Sequence, residues 1–79
     1  MKELIEYIAK ELVSQPEKVE VIEQDDSKGN ILIRLKVDSN DMGKVIGRNG
    51  KIAKAMRSLL DALGTKNRVN IQLEIIDEI

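Results

Sequence analysis

The chain reads as an α+β protein, one domain over residues 1–79 with the element order α-β-β-α-α-β. A three-stranded mixed sheet is expected, covered on one face by three helices. Three observations predict this. Apolar residues recur at helical spacing near the N-terminus, alternate strictly through the early thirties, return to helical spacing after Asp38, and alternate again from Arg68. Turn-forming residues cluster at those changes of period. The length of 79 residues allows one modest core, since so short a chain buries only about three-fifths of the surface it exposes when unfolded.

Lys2 to Val13 places Leu4, Ile5, Ile8, Ala9, Leu12 and Val13 at helical spacing, with Glu3, Glu6, Lys10 and Glu11 opposite, as an amphipathic helix requires. Pro16 is expected to end it, because the residue before a proline is pushed out of the α region. Lys18 to Gln24 reads as a strand, with Val19 and Val21 facing one way and Glu20 the other. Ile31 to Val37 reads as a second, in which Ile31, Ile33, Leu35 and Val37 alternate with Leu32, Arg34 and Lys36. Asp25-Asp26-Ser27-Lys28-Gly29-Asn30 separates them with turn residues, so they should pair as an antiparallel hairpin. The adjacent acids Asp25 and Asp26 are read as solvating that turn rather than as a metal or acid-base site.

Asp38-Ser39-Asn40-Asp41 supplies capping side chains, and Ser39 or Asn40 is expected to cap a short helix running toward Ile46. Lys51 to Leu63 reads as a longer helix with Ile52, Met56, Leu59, Leu60 and Leu63 on one face and Lys51, Lys54 and Arg57 on the opposite side. Gly64 is expected to stop it, leaving Thr65-Lys66-Asn67 as a loop. Arg68 to Ile75 alternates Val69, Ile71, Leu73 and Ile75 with Arg68, Asn70, Gln72 and Glu74 as the third strand. With two helices forming the crossover, that strand should run parallel to the second.

Gly43 to Leu60 is the stretch around which the chain is organised, for it holds five basic residues and no acidic ones. At its centre Gly47-Arg48-Asn49-Gly50 makes a turn between the end of one helix, Val45-Ile46, and the start of the next, Lys51-Ile52. Such a turn suits phosphate. Its two glycines permit positive φ and leave no Cβ between backbone and ligand. The following helix aims its unpaired N–H groups and the positive end of its dipole at the same place. Arg48 and Lys51 add formal charge.

The run Val45-Ile46-Gly47-Arg48-Asn49-Gly50-Lys51-Ile52, set between two helices, resembles the loop of the KH domain, which clamps the backbone of about four single-stranded nucleotides. The element order is that of the type II KH arrangement, so the resemblance spans essentially the whole chain. The run Asp41-Met42-Gly43-Lys44-Val45-Ile46-Gly47 and the opening Met1-Lys2-Glu3-Leu4 are similar to those of small stand-alone bacterial KH proteins of the KhpA type. The resemblance implies a protein that binds single-stranded RNA and needs no cofactor. The Gly47 and Gly50 backbone with Arg48 and Asn49 would hold two or three phosphates, with Lys44, Lys51 and Lys54 adding charge. Bases would lie in a groove between Val45, Ile46, Ile52 and the middle strand. It implies further an RNA chaperone that forms a homodimer or a heterodimer with a second KH protein of the KhpB or Jag type, linked to cell-wall homeostasis and cell shape.

Composition removes other classes of function. There is no Cys and no His, hence no disulfide, thiol nucleophile, imidazole base or common zinc site. Tyr7 is the only aromatic residue, which argues against sites that stack bases on exposed rings. The formal charge of -1 conceals a segregation. Residues 1–42 carry six basic and ten acidic side chains, 43–60 five and none, and 61–79 two and four, giving -4, +5 and -2. That describes one local basic site on an acidic protein. No stretch approaches the roughly 18 apolar residues of a membrane span, and the acids interleaved in the opening residues do not suit a signal peptide, so a cytoplasmic protein is expected. Two rival readings remain. One is a KH-fold module that mainly dimerises, using an apolar end at Ile75, Ile76 and Ile79. The other, a phosphate-handling enzyme, lacks the Gly-x-x-x-x-Gly-Lys-Ser/Thr pattern it would need.

Overall fold

The computed structural model describes residues 1–78; Ile79, expected at an apolar end with Ile75 and Ile76, lies outside the described residues. The elements are α1 (Lys2–Leu12), β1 (Glu20–Asp25), β2 (Asn30–Asp38), α2 (Met42–Ile46), α3 (Lys51–Asn67) and β3 (Asn70–Glu78). Short 3-10 turns at Pro16–Lys18, Ser39–Asp41 and Arg48–Gly50 join them. The expected α-β-β-α-α-β order and mixed sheet are both present.

Strand β2 is central. It pairs antiparallel with β1, Val21 opposite Leu35, and parallel with β3, Ile33 opposite Leu73. Its alternation puts Ile31, Ile33, Leu35 and Val37 on the buried face, where they meet Val21 from β1 and Ile71 and Leu73 from β3. Ile5 and Ala9 of α1, Val45 of α2, and Met56 and Leu60 of α3 close over them. This aliphatic core drives folding, at roughly 1.5–3 kcal/mol for each large side chain buried. The opposite sheet face carries an Arg34–Glu74 ion pair at 3.5 Å beside the partly exposed Ile22.

The structure departs from expectation at the ends of both long helices. Helix α1 stops at Leu12, before proline can act, because Val13 is already extended and the next two backbone N–H groups turn to a distant carboxylate. Ser14 and Gln15 each donate to Asp41 at 3.2 Å; Pro16 instead opens a 3-10 turn, where its missing N–H costs nothing. Strand β1 begins at Glu20, with Val19 just before it. The 3-10 turn after β2 is opened by Asp38, whose carboxylate accepts from Asn40 N–H at 3.0 Å.

Gly64 does not stop α3. The helix continues through Thr65, Lys66 and Asn67, and Arg68 ends it in the left-handed conformation at φ 58°. Gly64 serves close approach instead: the chain folds back so that Val69 N–H donates to the Gly64 carbonyl at 2.9 Å, and a Cβ on Gly64 would stand 2.6 Å from Val69 O. Leu59 also differs, being 46% exposed rather than part of the core face. Ala53 takes part in the buried stripe with Met56 and Leu60.

Candidate functional site

Helix α2 has only five residues, too few to hold itself in water. Tertiary contacts fix it. Val45 is wholly buried in the core, while Ile46 and Ile52 are half-buried. Val45 therefore anchors α2 from within, and is not a surface on which a ligand can rest. At the other end Asp41, fully buried, accepts the Ser14 hydroxyl at 2.6 Å besides the two backbone donors. The Ser14 hydrogen bond above all, helped by the Ser14 and Gln15 N–H groups and Lys44, outweighs burial and holds the Asp41 carboxyl down at about 2.

The chain leaves α2 through Gly47 at φ 79°, ψ 171°, a conformation essentially confined to glycine. An added Cβ would meet Ile52 Cγ1 at 2.7 Å and Ile52 N at 2.9 Å, so the missing side chain lets the loop fold onto the first turn of α3. Asn49 at φ 58° and Gly50 at φ 73° are left-handed, and asparagine is among the few other residues that visit this region readily. Gly50 N–H donates to Gly47 O at 3.1 Å and Lys51 N–H to Arg48 O, which tightens the turn. Arg48, Asn49 and Lys51 are exposed around it. Lys54 lies one turn along α3, its Cε 3.9 Å from where a Gly50 Cβ would be.

Electrostatics separates the five cations of this region. Lys44 Nζ stands 3.0 Å from Ser14 Oγ and 3.4 Å from Asp41 Oδ1, so part of its charge is already answered. Arg57 reaches across to β3 and donates from Nη2 to the Leu73 carbonyl at 3.3 Å. Arg48, Lys51 and Lys54 have no acidic partner among the described residues. These three keep a whole charge for an anion.

Farther along α3 from the loop, a groove runs between α3 and β3. Arg57 and Asp61 form its helix wall and Asn70 to Leu73 its strand wall, enclosing about 420 Å³. A second cavity of about 340 Å³, sharing Asp61, Asn70 and Ile71, continues it toward Arg68. Sequence reasoning placed the groove against the middle strand, but β2 is paired along both edges. β1 and β3 are the two edge strands, and it is β3 that walls the cavity beside α3. Asp61 was missed altogether, although its spacing four residues after Arg57 puts the two on one helix stripe. At the hairpin end Asp25 accepts from Ser27 N–H at 2.8 Å, and Asp26 accepts from Lys28 N–H at 2.7 Å and Asn30 Nδ2 at 2.8 Å. These acids close the turn. No group of three or more His, Cys, Asp or Glu able to hold a metal occurs among the described residues, and no helix among them is long and apolar enough to cross a membrane.

Comparison with known proteins agrees with this geometry. The family described as "KhpA/KhpB, KH domain" matches residues 2–75. The RNA-binding protein KhpA of Halalkalibacterium halodurans is 48% identical over 77 residues, covering 98% of this chain and all of that protein. The protein of the same name from Clostridium perfringens is 49% identical over 76 residues, 96% of this chain and again the whole relative. That of Aquifex aeolicus is 43% identical across 98% of this chain and 96% of its own length. No solved structure matches the chain. With its element order, its Gly47 to Gly50 turn and matches of this extent, the chain belongs to the KhpA/KhpB family of KH domains.

Proposed function

We propose that this protein binds single-stranded RNA, with the Gly47 to Gly50 turn holding the backbone and the α3–β3 groove receiving the bases. One observation carries the reading: a turn with positive φ at Gly47, Asn49 and Gly50 is ringed by the three unpaired cations Arg48, Lys51 and Lys54, at the head of the helix that farther along walls the groove against β3. Backbone N–H groups and cations together suit phosphate, and an exposed edge offers N–H and C=O groups to unpaired base edges. Lys44 belongs to the site through its hold on Asp41, and Ile46 and Ile52 supply its apolar margin. The chemistry is binding rather than catalysis. The family likeness supports extending the reading to a cytoplasmic RNA chaperone that pairs with itself or with a KhpB or Jag type protein, with a role in cell-wall homeostasis and cell shape.

Changing Arg48→Asp and Asn49→Asp together tests it. Both side chains are exposed, Asp accepts the left-handed conformation of Asn49, and an acid before a helix N-terminus is favourable, so the fold should hold. An Arg–phosphate contact is worth about 1.5–3 kcal/mol, and its replacement by repulsion should weaken binding roughly tenfold or more at moderate salt. Wild-type protein should also prefer single strands to a duplex of the same sequence. Undiminished RNA binding by a folded double variant would remove this loop as the site.

A further inference from the structure

Arg57 and Asp61 stand in the groove with chemistry that the phosphate loop does not account for. They follow Lys51 and Lys54 on one stripe of α3, at about 9 Å and 15 Å along the axis from Lys51. Both line the cavity of about 420 Å³ whose far wall is Asn70 to Leu73, beyond the reach of a phosphate held in the turn. Arg57 is joined to that wall, donating to the Leu73 carbonyl at 3.3 Å. Asp61 lines both stretches of the groove and makes no hydrogen bond or ion pair among the described residues.

We propose that Arg57 and Asp61 select guanine at this position of the bound strand. The inference rests on the RNA-binding reading above and names the base that the same site prefers. A carboxylate presents two adjacent acceptors and repels a base edge that offers none of its own donors there. Guanine alone among the four bases carries two neighbouring N–H donors, N1–H and N2–H, on its Watson–Crick edge, with the O6 acceptor beside them. Asp61 matches the two donors and the Arg57 fork matches O6. Adenine offers one donor group and uracil one, flanked by acceptors that would face the Asp61 carboxylate. Cytosine offers N4–H but sets N3 and O2 against the same charge. In the free protein Arg57 uses one of its five donors on the Leu73 carbonyl, which holds the guanidinium at the groove wall and leaves its other donors for the O6 of an entering guanine.

The test is titration of the full chain, by fluorescence anisotropy, with labelled short uridine oligonucleotides carrying one central guanosine, adenosine or cytidine. The guanosine strand should bind roughly fivefold or more tighter than the adenosine strand, the lower end of what one well-placed pair discriminates. Arg57→Gln and Asp61→Asn should each bring that ratio to within about twofold, whereas Lys51→Gln should weaken all strands in proportion and keep the ratio. Melting curves of the variants verify folding. Equal binding of all strands by the wild type, a preference for another base, or a guanosine preference that survives in both folded groove variants would overturn the proposal while leaving RNA binding intact. Absence of binding to any strand would overturn the RNA-binding reading and this proposal together.

Discussion

The Ser14 hydroxyl donates to Asp41 at 2.6 Å across 27 positions of sequence, tying the end of α1 to the start of α2. Because α2 runs straight into Gly47, this contact sets the angle at which the chain enters the phosphate turn. Asp41→Asn keeps the volume but turns an amide NH₂ toward the Ser14 or Gln15 donors. It should lower the melting temperature by roughly 5 °C or more and weaken RNA binding as well, which paired melting and titration experiments would register. Unchanged melting would mean that the contact contributes little.

Acid should loosen the same joint. Asp41 is held at about 2 against an ordinary 3.8, and the Asn30 side chain with the Lys28 N–H lowers Asp26 as well. For a carboxylate depressed in the folded state, the stabilisation is complete above the unfolded value and disappears as pH falls through the folded one. Stability should therefore be level from neutrality to about pH 4 and decline between about pH 4 and pH 2. Denaturant midpoints across that range measure it, and the Asp41→Asn variant should show a shallower decline.

The two glycines of the turn should not be equivalent. Gly47→Ala meets Ile52 at 2.7 Å and 2.9 Å in a backbone region costing about 1–3 kcal/mol for other residues, so both fold and binding should suffer. Gly50→Ala enters open space, with its nearest neighbour Lys54 Cε at 3.9 Å, and bears mainly the left-handed penalty of about 1–2 kcal/mol. Thermal melts should rank wild type above Gly50→Ala and Gly50→Ala above Gly47→Ala. The reverse order would contradict the packing of Gly47 on Ile52.

Salt dependence should distinguish the cations. If about two to four phosphates are neutralised, the slope of log affinity against log salt is roughly -1.5 to -3. Lys51→Gln or Lys54→Gln should make it shallower by about 0.7 each. Lys44→Gln should leave the slope nearly unchanged and act on stability, because its ammonium already serves Asp41 and Ser14. A slope equally reduced by Lys44→Gln would return that residue to the phosphate contact.

The periodic parts of this protein were readable without coordinates because burial imposes period. Ile31, Ile33, Leu35 and Val37 alternate since one face of β2 is packed, and their strand lies where alternation put it. The turn residues Gly47 and Gly50 were readable because few sequences tolerate three positive φ values within four positions. What stayed hidden depended on contacts far apart in the chain. Nothing near Asp41 signals that its partners are Ser14 and Gln15, and nothing near Arg57 reveals the Leu73 carbonyl. Leu59 fits the apolar stripe by spacing alone, yet the buried stripe is centred on Ala53, Met56, Leu60 and Gly64, which leaves Leu59 at its exposed flank. The position of the groove against β3 followed from which of the two edge strands lies beside α3, a property of how the helices cross the sheet rather than of any local run.

Gly64 restricts how this protein can be made more heat-resistant. Exchanging an interior helical glycine for alanine is a standard route to added stability, worth roughly 0.5–1 kcal/mol, and a scan of α3 for helix formers would choose this position first. Here the new methyl would strike Val69 O at 2.6 Å, forcing apart the helix end and the strand that walls the groove. Adding or deleting one residue in α3 before this point would bring a neighbour with a side chain to the same place. The length of α3 and the register of β3 are therefore bound to each other, so sequence drift in one is constrained by the other through a residue that has no side chain at all.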